Sequence, residues 1–262
     1  MKRFFSLFSQ ADEVDDGAPV GSVPAGLRIY TIGDIHGRLD LLVEMLGMIV
    51  QDATDAPNLD KHIIYLGDYV DRGLESRQVM DLLISDQPYG FEKTFLKGNH
   101  EDSMLQFMDG DNDGSMWFQF GGLSTMASYD VLMNEEGSRD QRLMQVREQL
   151  RENLPDDHLT FMRLLEMSIS FGDYFFTHAG VRPGVALDAQ SPQDLMWIRD
   201  RFLNSSVKHG KIVVHGHTIS ESPVVKSNRI GIDTGAYASG RLTCLVLEGD
   251  SFRFIQTNAE AM

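Results

Sequence analysis

Five short apolar runs in this 262-residue chain end abruptly in glycine and in side chains able to bind a metal. "YTI" leads into "GDIHG", with Asp34 and His36, and "IYL" leads into "GDYVDRG", with Asp68, Asp71 and Arg72. "FLK" leads into "GNHE", with Asn99, His100 and Glu101. "YFFT" leads into "HAG", with His178, and "IVV" into "HGHT", with His215 and His217. In an α/β sheet the carboxyl ends of the strands form the rim on which sites are built. Glycine at such an end lets the backbone turn sharply and approach a bound group. One histidine after a strand is ordinarily a hydrogen-bonded residue with no ligand role, and His62, His158 and His209 are read that way. Five such ends in one chain require a fold in which they converge.

The order of the runs narrows that fold. "LRIYTI" (27–32), "HIIYL" (62–66) and "KTFLK" (93–97) alternate with segments of helical periodicity. The first segment carries Leu39, Leu42, Val43 and Leu46 on one face, the second Val79, Met80, Leu82 and Leu83. This β-α-β-α-β pattern predicts parallel strands with crossover helices. A second set comprises "YFFT" (174–177), "KIVV" (211–214), "RIGI" (229–232), "TCLVLE" (243–248) and "SFRFIQ" (251–256). The last three, joined by short turns, predict an antiparallel portion.

Between the sets, residues 102 to about 168 read as a helical insertion. Ser138 caps "RDQRLMQVREQLREN", and Gln141 completes a capping box. Pro155 opens a further helix with Leu159, Met162 and Leu165. Residues 1–25, rich in acid, Gly, Ser and Pro, are expected to be a mobile tail, and residues 26–258 a single domain.

The net charge of −16 argues against nucleic-acid partners, whose phosphates need local positive charge. It leaves room for small anionic substrates if the site holds cations. The one cysteine, Cys244, allows no internal disulfide and no Cys-rich zinc module. It lies in an expected strand as a buried thiol, and a cytoplasmic protein fits best. No run approaches the roughly 18 apolar residues that span a bilayer. At the start, "MKRFFSLFSQ" is too short in its apolar part for a secretory signal; Phe4, Phe5, Leu7 and Phe8 offer at most a weak surface anchor.

A set of Asp, His and Asn ligands with no thiolate suits Mn, Fe, Zn or Ni. Six or so ligands are too many for one open-sited ion, so two divalent ions sharing a carboxylate, with Asp68 as the bridge, are the economical expectation. No P-loop, G-x-S-x-G elbow, G-x-G-x-x-G after a strand, or C-x-x-C competes. "DGDNDG" (109–114) imitates a calcium loop, with Asp109, Asp111 and Asp113 in place. Its twelfth position is Phe120 instead of a bidentate Glu, so a solvated turn is expected. Trp117 is expected to pack in the core, with lining the cleft as the alternative.

"GDIHG", "GDYVDRG" and "GNHE", in this order and about 30 residues apart, resemble the signature blocks of the phosphoprotein phosphatase family, the dimetal serine/threonine branch of the calcineurin-like metallophosphoesterases. "HAG" and "HGHT" match as well, and the resemblance, to the compact bacterial and phage-type members, covers about residues 27 to 247. It implies an α/β fold, a sandwich of two mixed β-sheets flanked by helices, with a helical insertion. It also implies one metal on Asp34, His36 and Asp68, and a second on Asp68, Asn99, His178 and His217. Arg72, Arg199 and Asn99 correspond to phosphate-binding residues, with Arg201 a less secure alternative to Arg199. His100 corresponds to the general acid and Asp71 to its carboxylate partner.

Two departures follow. Ala179 stands where the family often has glycine, with little expected effect, and "HGHT" offers two histidines. His217 is the expected ligand, and His215 is read as a hydrogen-bonded supporting residue, ligation being its alternative. The implied activity is hydrolysis of phosphoserine and phosphothreonine by metal-activated water, with a phosphorylated protein or a small phosphoester as substrate. A dinucleoside polyphosphate hydrolase on the same scaffold is the main rival; Asp71 and Glu101 together favour the protein phosphatase branch. A non-catalytic metal-binding scaffold is the alternative from another class, and the filled ligand positions argue against it.

Overall fold

In β1 (Leu27–Ile32) neighbouring side chains go to opposite sides. Ile29 joins a buried cluster with Phe176, Val214 and Ile230, whereas Tyr30 and Ile32 join Leu42, Met45 and Ile49 of α1 (Leu39–Ala53). That is the period-two pattern of a strand covered on both faces. The computed structural model describes residue 17, residues 19–133 and residues 136–258. The expected anchor residues Phe4, Phe5, Leu7 and Phe8 lie outside the described residues.

Two five-stranded mixed sheets stack face to face. The first runs β10 (Ser251–Gln256), β9 (Thr243–Glu248), β1, β2 (Asp60–Tyr65), β3 (Glu92–Phe95). Its strands β1, β2 and β3 are parallel, and β9 runs antiparallel to both β1 and β10. The second runs β4 (Ser168–Phe171), β5 (Tyr174–Thr177), β6 (Ile212–His215), β8 (Arg229–Gly231), β7 (Val224–Lys226). There β5, β6 and β8 are parallel, with β4 and β7 antiparallel at the edges. Ile64, Leu66, Leu96, Leu245 and Leu247 meet Phe176, Ile212, Val214 and Ile230 between the sheets.

Helices cover both outer faces. α1 and α2 (Ser76–Ile84) are the expected crossovers on the first sheet. Between β3 and β4 come α3 (Asn99–Asp109), α4 (Ser115–Trp117), a π-helical turn at Phe118–Gly122, α5 (Leu123–Ser128), α6 (Arg139–Asn153) and α7 (Asp156–Leu164). Ser138 and Gln141 form the expected capping box, with Ser138 N–H donating to Gln141 Oε1 at 2.9 Å. α8 (Pro192–Trp197), α9 (Asp200–Leu203) and the link between them lay Leu195, Ile198 and Phe202 on Phe175 and Val213 of the second sheet. The short α10 (Ala236–Ser239) follows β8. Among the described residues no helix is long and apolar enough to cross a membrane.

Three readings need correction. β8 does not join β9 and β10 in an antiparallel unit: it pairs parallel with β6, and residues 233–240 carry the chain from one sheet to the other. β4 and β7 went unrecognised because they are short, partly exposed edge strands without a long apolar run. Val43 is exposed, and the buried face of α1 runs through Leu41, Leu42, Met45, Leu46 and Ile49. Val23 is buried between the sheets. Val23 N–H donates to Gly249 O at 2.9 Å, and Ser22 N–H to Asp173 Oδ2 at 2.8 Å.

Candidate metal centre

Six parallel strands, three from each sheet, bring their carboxyl ends to one place. The loops after them are cross-tied by backbone: His36 N–H donates to Asp68 O at 2.8 Å, and Gly216 N–H to His178 O at 2.8 Å. Six non-glycine residues among those described have a positive φ, and five of them are His36, Asp68, Asp71, Arg72 and His217. Left-handed backbone costs an ordinary residue about 1–3 kcal/mol, so the surrounding fold holds these side chains in place against strain. Glu101 supplies much of that hold. Its buried carboxylate accepts the N–H groups of Gly98, Asp68, Tyr69 and Val70 at 2.7–3.2 Å. Gly98 is required by close approach, since a Cβ there would lie 2.1 Å from Asp68 Oδ1.

Asp68 is the hub. Its Oδ2 stands 3.4 Å from His178 Nε2, 3.5 Å from His36 Nε2 and 3.8 Å from His100 Nε2. Ligand atoms of His36, Asp68 and His100 lie within 4.8 Å of one another, as do those of Asp68, His178 and His217. These two groups, sharing Asp68, can hold metal ions. His36 Nδ1 donates to Val70 O and His178 Nδ1 to Leu66 O, each at 2.9 Å. That fixes the tautomers: both Nε2 lone pairs point at the Asp68 carboxylate. His178 Nε2 also faces Asn99 Oδ1 at 3.0 Å and His217 Nδ1 at 3.2 Å, while His217 Nε2 is buried without a partner. Lone pairs crowded against lone pairs fit a cation.

The protonation states agree. Burial pushes His36 down to about 3, His217 down to about 2, and His178 downward, so all three present neutral imidazoles at pH 7. Asp34 is driven well up, by burial and then by the carboxylates of Asp233 and Asp68. Its oxygens accept His217 N–H at 3.1 and 3.2 Å. Three desolvated carboxylates side by side demand positive charge.

His100 is set apart from the other histidines. Its Nδ1 lies 2.6 Å from Asp71 Oδ2. Burial disfavours its imidazolium, but Asp68 and Asp71 outweigh that and raise its pKa. Arg72 NH2 is 3.5 Å from His100 Nε2, and the guanidinium carbon of Arg72 lies 4.5 Å from the centre of the Tyr237 ring. Arg199 NH1 donates to His217 O at 3.3 Å and to Thr218 Oγ1 at 3.4 Å.

Other residues singled out in the sequence lie elsewhere. His215 stands outside both groups and donates Nδ1–H to Gly216 O at 3.0 Å. His62 meets Thr94, His158 bridges Tyr129 and Asp81, and His209 packs against Phe202. In the acidic loop, Asp109 pairs with Arg163 and Asp113 with Arg139. Arg201 is exposed on α9. Cys244 is buried, and desolvation drives its thiol pKa up.

The calcineurin-like phosphoesterase model matches residues 27–244. The chain belongs to the calcineurin-like phosphoesterase family. It is thus a metallophosphoesterase, a metal-binding hydrolase of phosphoric esters. It is 29% identical over 228 residues to serine/threonine-protein phosphatase 2 of Salmonella typhimurium, covering 82% of this chain and 91% of that one. It is 26% identical over 231 residues to the asymmetrical bis(5'-nucleosyl)-tetraphosphatase PrpE of Anoxybacillus flavithermus, covering 82% and 88%. The crystal structure of a cold-active protein tyrosine phosphatase shares the fold, with a TM-score of 0.56 at 16% identity over 90% of this chain and 78% of that one.

Within this family site, several residues escaped the sequence reading. Asp233 follows β8 in "IDTG", the same strand-then-glycine punctuation as the others, and that signal was readable. It is buried, and its carboxyl is pushed up to about 6, chiefly by desolvation. Tyr237 and Thr125 contact Arg72 and Asp71 from distant segments, and no local pattern marks them; Trp117, expected in the core, is buried and also donates its indole N–H to Asp71.

Proposed function

We propose that the protein is a serine/threonine protein phosphatase that binds two divalent cations, manganese in the first instance. The donors are oxygens and imidazoles without thiolate, a set suited to that ion. Asp34, His36 and Asp68 would hold one cation, and Asp68, Asn99, His178 and His217 the other. When bound, the cations supply Lewis acidity, neutralising phosphate charge and making water more acidic near neutral pH.

The chain's own groups do the rest. Arg72 and Arg199 bind phosphate oxygens through their planar forks, with Asn99 contributing its amide. His100 gives the Nε2 proton to the departing alkoxide, and Asp71 holds the ring by its Nδ1–H. The observation that carries this reading is the convergence of three histidines on Asp68 Oδ2 at 3.4–3.8 Å, with one of them paired to Asp71 at 2.6 Å. A cytoplasmic location and a catalytic domain running to about residue 258 belong to the same reading.

The relatives named bis(5'-nucleosyl)-tetraphosphatase favour a second reading, hydrolysis of dinucleoside polyphosphates. The test compares phosphoserine, phosphothreonine and phosphotyrosine peptides, an aryl phosphate and a dinucleoside tetraphosphate, after metal stripping and manganese addition. Highest kcat/KM on the phosphoserine and phosphothreonine peptides is expected. Preference for the tetraphosphate by orders of magnitude would replace the first reading with the second.

A further inference from the structure

Asp71 is fully buried, and its carboxylate touches three donor groups. One is His100. The other contacts come from the helical insertion: Trp117 Nε1–H, at 2.9 Å from Oδ2 and 3.1 Å from Oδ1, and the Thr125 hydroxyl, at 2.6 Å from Oδ1. Thr125 Oγ1 also accepts the Asp71 backbone N–H at 2.8 Å, and Ser76 Oγ accepts it at 3.1 Å. Trp117 and Thr125 therefore hold Asp71 by both backbone and side chain. Oδ2, held by the indole N–H, is left 2.6 Å from His100 Nδ1.

The segment that carries them is shaped for this contact. The indole packs against Phe107 and Phe118, each with ring centroids 5.4 Å away. A Cβ on Gly122 would come within 2.6 Å of the indole, so glycine there lets the ring lie against the π-helical turn. Gly121 O accepts Arg72 N–H at 3.3 Å, and Ser124 Oγ–H donates to Arg72 O at 3.2 Å. The same segment thus grips the two residues Asp71 and Arg72, both at positive φ. Helix packing alone does not require an indole N–H and a hydroxyl aimed at one buried carboxylate, because buried donors left without acceptors are costly and apolar residues would fill the space.

We infer that Trp117 and Thr125 are positioning residues for the proposed acid, and that the insertion orients the leaving-group proton. This rests on the reading of His100 as that acid. A positioned general acid contributes about 10²–10⁴-fold, and its loss falls on poor leaving groups.

The test uses the full chain loaded with manganese and two substrates, an alkyl phosphate and an aryl phosphate with an acidic phenol. Trp117→Phe and Thr125→Val are expected to lower kcat on the alkyl ester about tenfold while changing the aryl ester about twofold or less, a fraction of the full acid effect. KM should hold for both, and Thr125→Ser should restore the rate. Tyr129→Phe, which removes a hydroxyl from the same insertion without touching Asp71, should show no such selectivity. As a readout apart from turnover, taken on protein loaded with diamagnetic zinc in place of manganese, the downfield proton resonance lost in His100→Asn should shift in Trp117→Phe and Thr125→Val but persist in Tyr129→Phe.

Equal losses on both esters, or an unmoved resonance, in variants where His100→Asn remains selective for the alkyl ester would overturn the inference alone. If Trp117→Phe does not fold, Thr125→Val decides by the same criteria. If His100→Asn itself loses equally on both esters, the acid reading falls and this inference with it.

Discussion

His100 Nδ1 and Asp71 Oδ2 are 2.6 Å apart, both side chains buried, while the opposite nitrogen of the same ring lies 3.8 Å from Asp68. One imidazole of the first metal-competent group thus reaches a carboxylate that belongs to neither group. Replacing it should separate metal binding from proton donation. His100→Asn is expected to cut kcat on alkyl phosphates by about 10²–10⁴-fold and to cut it far less on esters of acidic phenols. Steady-state rates on the two ester classes check this, and parallel losses would remove His100 from the acid role.

Asp68 is the one residue common to both groups. Wild-type protein should melt at a higher temperature when manganese is added, since a ligand at 100 times its Kd stabilises by about 2.7 kcal/mol. Asp68→Asn should abolish most of that rise. Differential scanning calorimetry of stripped and reloaded protein reads it directly, and an undiminished rise in the variant would rule out the shared-carboxylate arrangement.

Gly98 gives a steric test of the same hub. An alanine methyl would meet Asp68 Oδ1 at 2.1 Å and Asp68 N at 2.4 Å. Backbone has to shift, so Gly98→Ala should weaken manganese binding at least tenfold and destabilise the apo protein by about 1–3 kcal/mol. Isothermal titration and urea unfolding measure the two effects; a variant unchanged in both would mean the loop yields at no cost.

Away from the site, Asp52 gathers Arg253 at 2.6 Å, Tyr30 at 2.8 Å and Arg28 at 3.0 Å. Partial burial opposes its ionised form, but Arg253, Tyr30 and Arg28 outweigh it and hold its pKa below the ordinary carboxylate value. A depressed folded-state pKa contributes stability above the unfolded value, near 3.9, that is lost as pH falls through the folded one. Asp52→Asn should therefore cost about 1–3 kcal/mol at pH 7, the worth of hydrogen bonds to a charged group. The gap between wild type and variant should close below about pH 4. Urea unfolding across pH 3–7 tests the sign, and a gap that widens in acid would refute it.

Much of the molecule was legible in the sequence because its signals are local. Strand ends at "GDIHG", "GDYVDRG", "GNHE", "HAG" and "HGHT" are dictated by apolar runs stopping at glycine, and the Ser138–Gln141 cap by a four-residue pattern. These fixed the element order, the ligand types and the family. Placement of β8 was beyond such reading, because a strand of three residues has no intrinsic partner and joins whichever sheet its neighbours leave open. The tertiary structure alone decided that ligand atoms of His100, His36 and Asp68 stand within 4.8 Å of one another. It alone aimed Trp117 and Thr125 at Asp71 from 46 and 54 residues away. Hydrogen bonds between distant segments depend on how whole layers pack, and no spacing along the chain encodes them.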